Sequence, residues 1–224
     1  MASKKTVLLF CGILSSLLYG AMNVVVPMQW EGYSSVSRVV SELSAIDAPT
    51  RSLWVVLGIG YGVLATAFGA GVWTAARGNR SLRIVGALLL AYGAIGLVPW
   101  PPMHQREVLA AGGGTLTDTL HIVWSMAAVL LMMLAIGFGA ATFDKRFRLY
   151  SIATMVILVV FGVLTGLDGP RISANLPTPW IGVWERINIG VFLLWCVVLA
   201  ITLLRQLPHG DQSRRRRHFA FSRP

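Results

Sequence analysis

Residues 119–143 read TLHIVWSMAAVLLMMLAIGFGAATF, and this stretch contains no Asp, Glu, Lys or Arg. A transmembrane helix needs about 20 consecutive apolar residues to cross the hydrocarbon core of a bilayer, and this stretch is long enough. Because lipid cannot satisfy backbone polar groups, an apolar segment of this length must be helical inside a membrane. Residues 119–143 therefore predict a transmembrane α-helix.

Five further stretches are similarly apolar, and the last of them has an uncharged core from Ile187 to Leu204 with an outer extension back to Trp180. With the first, they predict six spans, at about 6–28, 52–76, 84–103, 119–143, 149–167 and 180–204. Hydrophobic residues make up 55% of the chain and charged residues only 12%, which is about half of the charged fraction of a soluble domain. We expect an all-α protein in which residues 1–207 form a six-helix transmembrane bundle and residues 208–224 form a disordered basic cytoplasmic tail.

The distribution of basic residues predicts the orientation of this bundle. With the N-terminus inside, 14 of the 19 Lys and Arg residues lie on the cytoplasmic side. The other five lie on the opposite side: Arg38, Arg51, Arg106, Arg171 and Arg186. Six of the eight tryptophans fall near the opposite helix ends, as in an interfacial aromatic belt: Trp30, Trp54, Trp100, Trp124, Trp180 and Trp184. We therefore expect a multi-pass protein of the plasma membrane with both termini in the cytoplasm.

The net charge of +10 raises the question of a nucleic-acid partner. A polybasic run follows the last span, at Arg214, Arg215, Arg216 and Arg217. Anionic lipids of the inner leaflet attract such a run, by about 1 kcal/mol for each basic residue near the surface. We expect membrane lipids as partners, with anionic inner-leaflet lipids at this run, and no nucleic acid.

The connections between spans differ in length on the two sides. The cytoplasmic ones, 77–80 and 144–148, are short and basic, and we expect them to be too small to hold a site. The extracytoplasmic ones, at about 29–51, 104–118 and 168–179, are longer, and long loops often carry function.

The first long loop has the pattern of a short amphipathic helix in the interface. Apolar residues recur there at helical spacing: Val36, Val39, Val40, Leu43 and Ile46. Ser34 or Ser35 can cap its start, and Asp47-Ala48-Pro49 can end it. Arg38 and Glu42 would then form an i, i+4 pair on its polar side, or Glu42 would point into the mouth of the bundle.

Candidate catalytic residues open the span at 119–143. Asp118 and His121 lie three positions apart, so they share a helix face and can act on one atom. Asp118 also suits a plain helix cap, and His121 an ordinary interfacial histidine. With His104 they would form a zinc-type or iron-type donor set, but the spacing matches no metal motif, so no metal is predicted.

A second polar group lies where the last two spans meet the loops. Asp168 and Arg171 follow one span, and Trp184-Glu185-Arg186-Ile187-Asn188 opens the other. These charges either brace the loop or form part of a site with perturbed acids and bases. The predicted catalytic residues are His121, Asp118 and Glu185, and the predicted ligand-binding residues are Arg186, Asn188, Glu42, Asp168 and Arg171.

Several chemistries are disfavoured by what the sequence lacks. No histidine lies in the middle of a span, as the axial ligands of a membrane haem would, and no P-loop or dinucleotide fingerprint is found. Ser125 lies four residues beyond His121, but no Gly-x-Ser-x-Gly elbow supports a serine hydrolase. Glycines of the second span are expected at close helix contacts: Gly58, Gly60, Gly62, Gly69 and Gly71.

Four features together resemble the uncharacterised prokaryotic membrane family known as domain of unknown function 998. They are the polar turn Ser41-Glu42-Leu43-Ser44-Ala45, the Pro-terminated third span, Asp118 with His121, and the segment 182–188. The similarity covers about residues 8–204. It implies a multi-pass membrane protein, as expected for the bacterial inner membrane, and it implies no activity, cofactor or catalytic role.

Three functions therefore stay open. The first is a membrane-embedded enzyme, such as a hydrolase of a lipid or envelope precursor, with Glu185 and Arg186 positioning an anionic headgroup. The second is a binder or transporter of an amphipathic molecule, and the third is a structural or accessory subunit without activity. We expect a polar site at the extracytoplasmic mouth that acts on or binds a lipid-like or amphipathic small molecule, with the structural subunit as the alternative.

Overall fold

The computed structural model of the chain describes residues 3–207. It is 76% helical and has no strand in this range, which confirms the all-α class. The predicted tail, with its run from Arg214 to Arg217, lies outside the described residues.

Seven α-helices are found in the described part of the chain. They are α1 (Lys4–Val25), α2 (Arg51–Ala75), α3 (Arg80–Ile95), α4 (Arg106–Ala110), α5 (Leu116–Ala140), α6 (Lys145–Ser173) and α7 (Ile181–Arg205). Two 3-10 helices, Pro27–Gln29 and Val40–Ser44, lie between α1 and α2. Five segments are long and apolar enough to cross a membrane: Lys4–Gln29, Arg51–Ala75, Leu116–Ala140, Lys145–Ser173 and Ile181–Arg205. The chain is therefore a multi-pass membrane protein.

Helix α3 is shorter than predicted and begins earlier. The prediction was 84–103, whereas the helix has 16 residues, Arg80–Ile95. Asn79 sets the start, because its side chain accepts a hydrogen bond from the Leu82 N–H at 3.0 Å. The chain leaves the helix at Gly96, ahead of three prolines that have no N–H to donate: Pro99, Pro101 and Pro102. A count of six spans is therefore not confirmed.

Helix α6 is longer than predicted at both ends. The prediction was 149–167, and the helix runs over Lys145–Ser173 with Pro170 inside its last turns. It ends next to Asn175, whose φ of 53° is the left-handed conformation that commonly closes a helix C-terminus. The last turns, predicted as loop, are therefore helical.

Six long helices pack side by side in a closed ring. Each contacts two neighbours, in the order α1, α2, α3, α5, α6, α7 and back to α1. The connections 26–50, 96–115 and 174–180 meet at one end, which we call the long-loop end. The connections 76–79 and 141–144 meet at the other, the short-loop end.

Glycines bring neighbouring helices into close contact, as the sequence predicts. A Cβ on Gly69 would meet the backbone of Leu90, and one on Gly71 would lie 2.9 Å from the carbonyl carbon of Leu8. Gly60 differs, since a Cβ there would make only an ordinary contact with Leu18, at 3.7 Å. The glycines of α2 thus fix its distance from both α1 and α3.

The main hydrophobic core fills the half of the ring nearest the short-loop end. Trp195 is fully buried there, and its indole N–H donates to the Ser151 hydroxyl at 3.0 Å. Phe68, Phe147 and Leu199 pack in the same cluster. The opposite half of the ring is less completely filled, and it is there that the polar residues of the long-loop end lie.

Candidate functional site

The loop after α1 covers the mouth of the helix ring. The amphipathic helix expected over 36–46 is not confirmed, because this stretch holds only the 3-10 helix Val40–Ser44, which we call the cover segment. Val40 and Leu43 are buried. Because these side chains are buried, the cover segment packs into the mouth of the ring instead of lying along the membrane surface.

Glu42, in the middle of the cover segment, is held by two arginines. Its side chain has 0% exposure. The Arg106 guanidinium donates to Oε1 at 2.8 Å through Nη2, and Arg38 Nη1 donates to Oε2 at 3.0 Å. A buried charge without such partners would cost several kcal/mol, so both arginines are needed to keep Glu42 in this position. The i, i+4 pair of Arg38 and Glu42 is present, although not on an α-helix.

Arg106 connects all three long loops. Besides Glu42, its guanidinium donates to the Ser37 carbonyl at 2.9 Å and to the Thr178 hydroxyl at 3.2 Å. The sequence-based predictions did not select this residue. One signal was available, because Arg106 is among the few basic residues on the side of the membrane that the charge rule leaves poor in them.

Glu107, next along α4, extends the network to the surface. Its carboxylate pairs with Arg38, while 56% of its side chain stays exposed. Partial burial acts to raise the pKa of Glu107, but hydrogen bonds and the positive charges of Arg38 and Arg106 outweigh it, so the pKa lies below its ordinary value.

Arg186 is a brace between α7 and the first loop. Its Nη1 donates to the backbone carbonyls of Ser35 at 2.8 Å and Arg38 at 3.2 Å, and its Nη2 donates to the Tyr33 hydroxyl at 2.9 Å. Burial raises the pKa of Tyr33 to about 12, against the opposing charge of Arg186. Gly182 permits this approach, because a Cβ there would fall on the Ser35 and Arg38 carbonyls.

Asp118 is held by the loop that precedes α5. Asp118 accepts hydrogen bonds from the backbone N–H of His104 at 2.7 Å and of Thr115 at 2.8 Å, and it contacts His104 Nδ1 at 2.9 Å. It therefore caps α5 and fixes the preceding loop. In residues 3–207 no three His, Cys, Asp or Glu side chains come together in a metal-binding group.

His121 is a buried residue, with 7% exposure. Its Nδ1 lies 2.7 Å from the Pro101 carbonyl, and because a carbonyl only accepts, Nδ1 is assigned the hydrogen. In the neutral ring Nε2 is then an acceptor. Nε2 is buried and has no hydrogen-bond partner among the described residues.

Glu185 ties the cover segment to α7. One oxygen, Oε2, accepts a hydrogen bond from the backbone N–H of Val40. Glu185 and His121 line one cavity inside the helix ring, directly beneath the cover segment. The predicted residues on two different helices, α5 and α7, are thus brought together, whereas Asp118 lies outside the lining.

This cavity has a volume of about 290 Å³. All six helices of the ring contribute to its wall. Six aromatic side chains line it: Tyr19, Trp54, Tyr61, Tyr92, Trp100 and Trp124. Three of these were expected in an interfacial belt, and the structure instead turns them inward. The cavity is small and combines this aromatic wall with polar side chains such as His121 and Glu185, a combination that is typical of a small-molecule site.

Asn188 lines the same cavity and joins two helices. Its side-chain amide donates to the Leu158 carbonyl of α6 at 2.7 Å, beside Gly162. Asp168 and Arg171 lie apart from it on the last turns of α6, with Arg171 Nε 3.5 Å from the Asp168 carboxylate. Arg171 also donates to the Pro177 carbonyl at 3.0 Å, so this pair braces the loop before α7.

A second, more open cavity of about 760 Å³ lies at the short-loop end. The two short connections line it, together with the end of α7, through residues such as Arg77, Asn79, Asp144 and Gln206. The two short connections, which the sequence predicted to be too small to hold a site, thus border a cavity.

The chain was compared with protein families, with curated proteins and with solved structures. No curated protein and no solved structure matches it. A family model described as Protein of unknown function (DUF998) matches residues 13–202. This match covers the bundle from α1 to α7, including the cover segment and every residue that lines the cavity beneath it. The chain therefore belongs to the DUF998 family of proteins of unknown function.

Proposed function

We propose that this protein crosses the plasma membrane six times, with both termini in the cytoplasm, and binds a small amphipathic molecule in the cavity at the long-loop end. The observation that supports the proposal is that His121 and Glu185, from two different helices, line one aromatic cavity beneath the cover segment.

The sixth span in this proposal is α3. Its 16 residues extend over about 24 Å, somewhat less than the roughly 30 Å of a bilayer core. It packs in the helix ring between α2 and α5, both of which are long enough to cross the bilayer. The charge distribution supports an extracytoplasmic long-loop end, since Arg77, Arg80 and Arg83 lie at the opposite end.

The polar atoms of the cavity support a bound molecule. A buried polar atom without a hydrogen bond costs about 1–3 kcal/mol. His121 Nε2 is such an atom with respect to the described residues, while the Nδ1 hydrogen bond to Pro101 fixes the ring. A preorganised acceptor beside an aromatic cavity can orient a ligand. Because Asp118 is not among the residues that line the cavity, we propose binding rather than catalysis.

The alternative is a structural or accessory subunit. It is favoured by the use of Glu42, Arg106, Arg186 and Asp118 in contacts between the loops. These contacts account for most of the charges at the long-loop end but leave His121 Nε2 and the aromatic wall unexplained.

The experiment compares two alanines of α5 that are adjacent in sequence. Ala128 lines the cavity, whereas Ala127 is exposed on the outside of the bundle. Wild type, Ala128→Phe and Ala127→Phe are purified in native lipid particles, and bound small molecules are identified by mass spectrometry. We expect one compound that is retained by wild type and Ala127→Phe and lost from folded Ala128→Phe. Equal retention by both variants, or no retained compound in wild type, would reject the proposal.

A further inference from the structure

We propose that the molecule bound in this cavity carries an ammonium group, which Glu185 and the surrounding aromatic faces recognise. This inference rests on the proposed binding function and names the chemical class of its ligand. It departs from the expectation of an anionic headgroup held by Glu185 and Arg186.

The charge of the cavity wall is the first argument. Glu185 contributes a carboxylate, and none of the residues that line the cavity, all within the described part of the chain, is Lys or Arg. Arg186 is adjacent in sequence but donates to loop carbonyls and to Tyr33. An anionic ligand would meet the Glu185 carboxylate without a compensating cation. A cationic ligand would complete an ion pair at the edge of the low-dielectric interior.

The second argument is the aromatic wall. Tyr19 contacts Trp54 on one side and Tyr61 on the other, with ring centroids 5.7 and 4.7 Å apart. Trp100 and Trp124 form another pair, at 6.1 Å. The negative face of an aromatic ring attracts a cation by about 0.5–2 kcal/mol, and ammonium ligands are commonly bound by cages of such rings.

The third argument is the direction of the hydrogen bonds. His121 Nε2 accepts, because Nδ1 carries the hydrogen that is donated to Pro101. Glu185 also accepts, and the Val40 N–H uses only its Oε2, which leaves Oε1 for a ligand. Both groups therefore offer a ligand a hydrogen-bond acceptor. An ammonium donates through every N–H and accepts none, whereas a carboxylate or phosphate only accepts.

The test uses three probes of nearly equal shape: phenethylammonium, 2-phenylethanol and phenylacetate. Each is titrated into the full chain in lipid nanodiscs near neutral pH, with tryptophan fluorescence as the readout, since three tryptophans line the cavity. The variants are Glu185→Gln, which keeps an oxygen to accept the Val40 N–H, and Glu31→Gln, which removes an exposed acid outside the cavity. Ala128→Phe shows whether a signal comes from the cavity.

We expect phenethylammonium to bind saturably and at least about tenfold more tightly than the other two probes. Glu185→Gln should remove this preference, and Glu31→Gln should retain it. If the alcohol or the carboxylate binds as tightly in wild type and Ala128→Phe abolishes that binding, the ammonium inference is wrong while the proposed binding function stands. If no probe binds saturably at the cavity, both are rejected.

Discussion

The Arg106 guanidinium lies 2.8 Å from the fully buried carboxylate of Glu42, a residue 64 positions earlier in the chain. This ion pair joins the first long loop to the second across the mouth of the helix ring. It holds the cover segment over the cavity, and with it the Val40 N–H that Glu185 accepts. The position of the cavity roof thus depends on a contact between two loops.

Arg106→Ala should destabilise the protein strongly. The substitution leaves Glu42 buried with only Arg38 as a cationic partner, and breaking a buried ion pair costs about 3–5 kcal/mol. Arg171→Ala is the control, because its pair with Asp168 is 3.5 Å long and the arginine side chain is 44% exposed, so that losing this pair and the Pro177 hydrogen bond should cost about 1–2 kcal/mol. Thermal unfolding of both purified variants measures the difference. Equal losses would contradict the importance of the Glu42 pair.

Two glycines of α7 should respond differently to substitution by alanine. At Gly182 the new Cβ would fall on the Ser35 and Arg38 carbonyls, and overpacking of this kind costs about 1–3 kcal/mol. At Gly190 nothing lies within 4 Å, so helix propensity should leave stability unchanged or raise it by up to about 1 kcal/mol. Unfolding temperatures of the two variants test this. A tolerated Gly182→Ala would show that the first loop does not pack on α7 as described.

Glu107 should give a small, pH-dependent contribution to stability. Its pKa in the folded protein is below the ordinary value of 4.5, so the stabilisation is complete above that value and is lost as the pH falls through the lowered folded pKa. The unfolding temperature of wild type should exceed that of Glu107→Gln near neutral pH, and the gap should close in acid. A gap that widens on acidification would contradict the assigned ion pair with Arg38.

The number of spans can be tested by labelling on either side of α3. Arg80, at its start, and Ala111, after α4, are both exposed. In intact cells an impermeant maleimide should label Ala111→Cys at once and Arg80→Cys only after lysis, with the native Cys11 and Cys196 in the unsubstituted chain as background. Labelling of both Ala111→Cys and Arg80→Cys from outside would show that α3 does not cross the membrane.

The sequence predicted the long helices well, because a bilayer restricts an apolar segment to a helix of roughly fixed length. It was less successful where one residue satisfied two rules. Asp118 suited both a cap and a site, and in the structure it accepts hydrogen bonds from the Thr115 and His104 backbone N–H groups, as a cap does. The cover segment has helical periodicity, but burying Glu42 against two arginines outweighed it.

Arg106 could not be assigned a role from the sequence, because its partners lie 64 to 72 positions away and no periodic pattern relates them. His121 and Glu185 were predicted as site residues because each lies near the outer end of a helix. Residues near the outer ends of neighbouring helices lie at a similar depth in the membrane. Which of those residues face inward depends on helix rotation, and the turned-in tryptophans show how packing decides it.

The most direct test of the proposed cavity is an electron cryomicroscopy map of the protein purified in native lipid particles. We expect density for a small molecule beneath the cover segment, within hydrogen-bonding distance of both His121 Nε2 and the Glu185 carboxylate. A map without density for a small molecule in the cavity, in which His121 Nε2 is hydrogen-bonded to another residue of the chain, would contradict the proposed binding function.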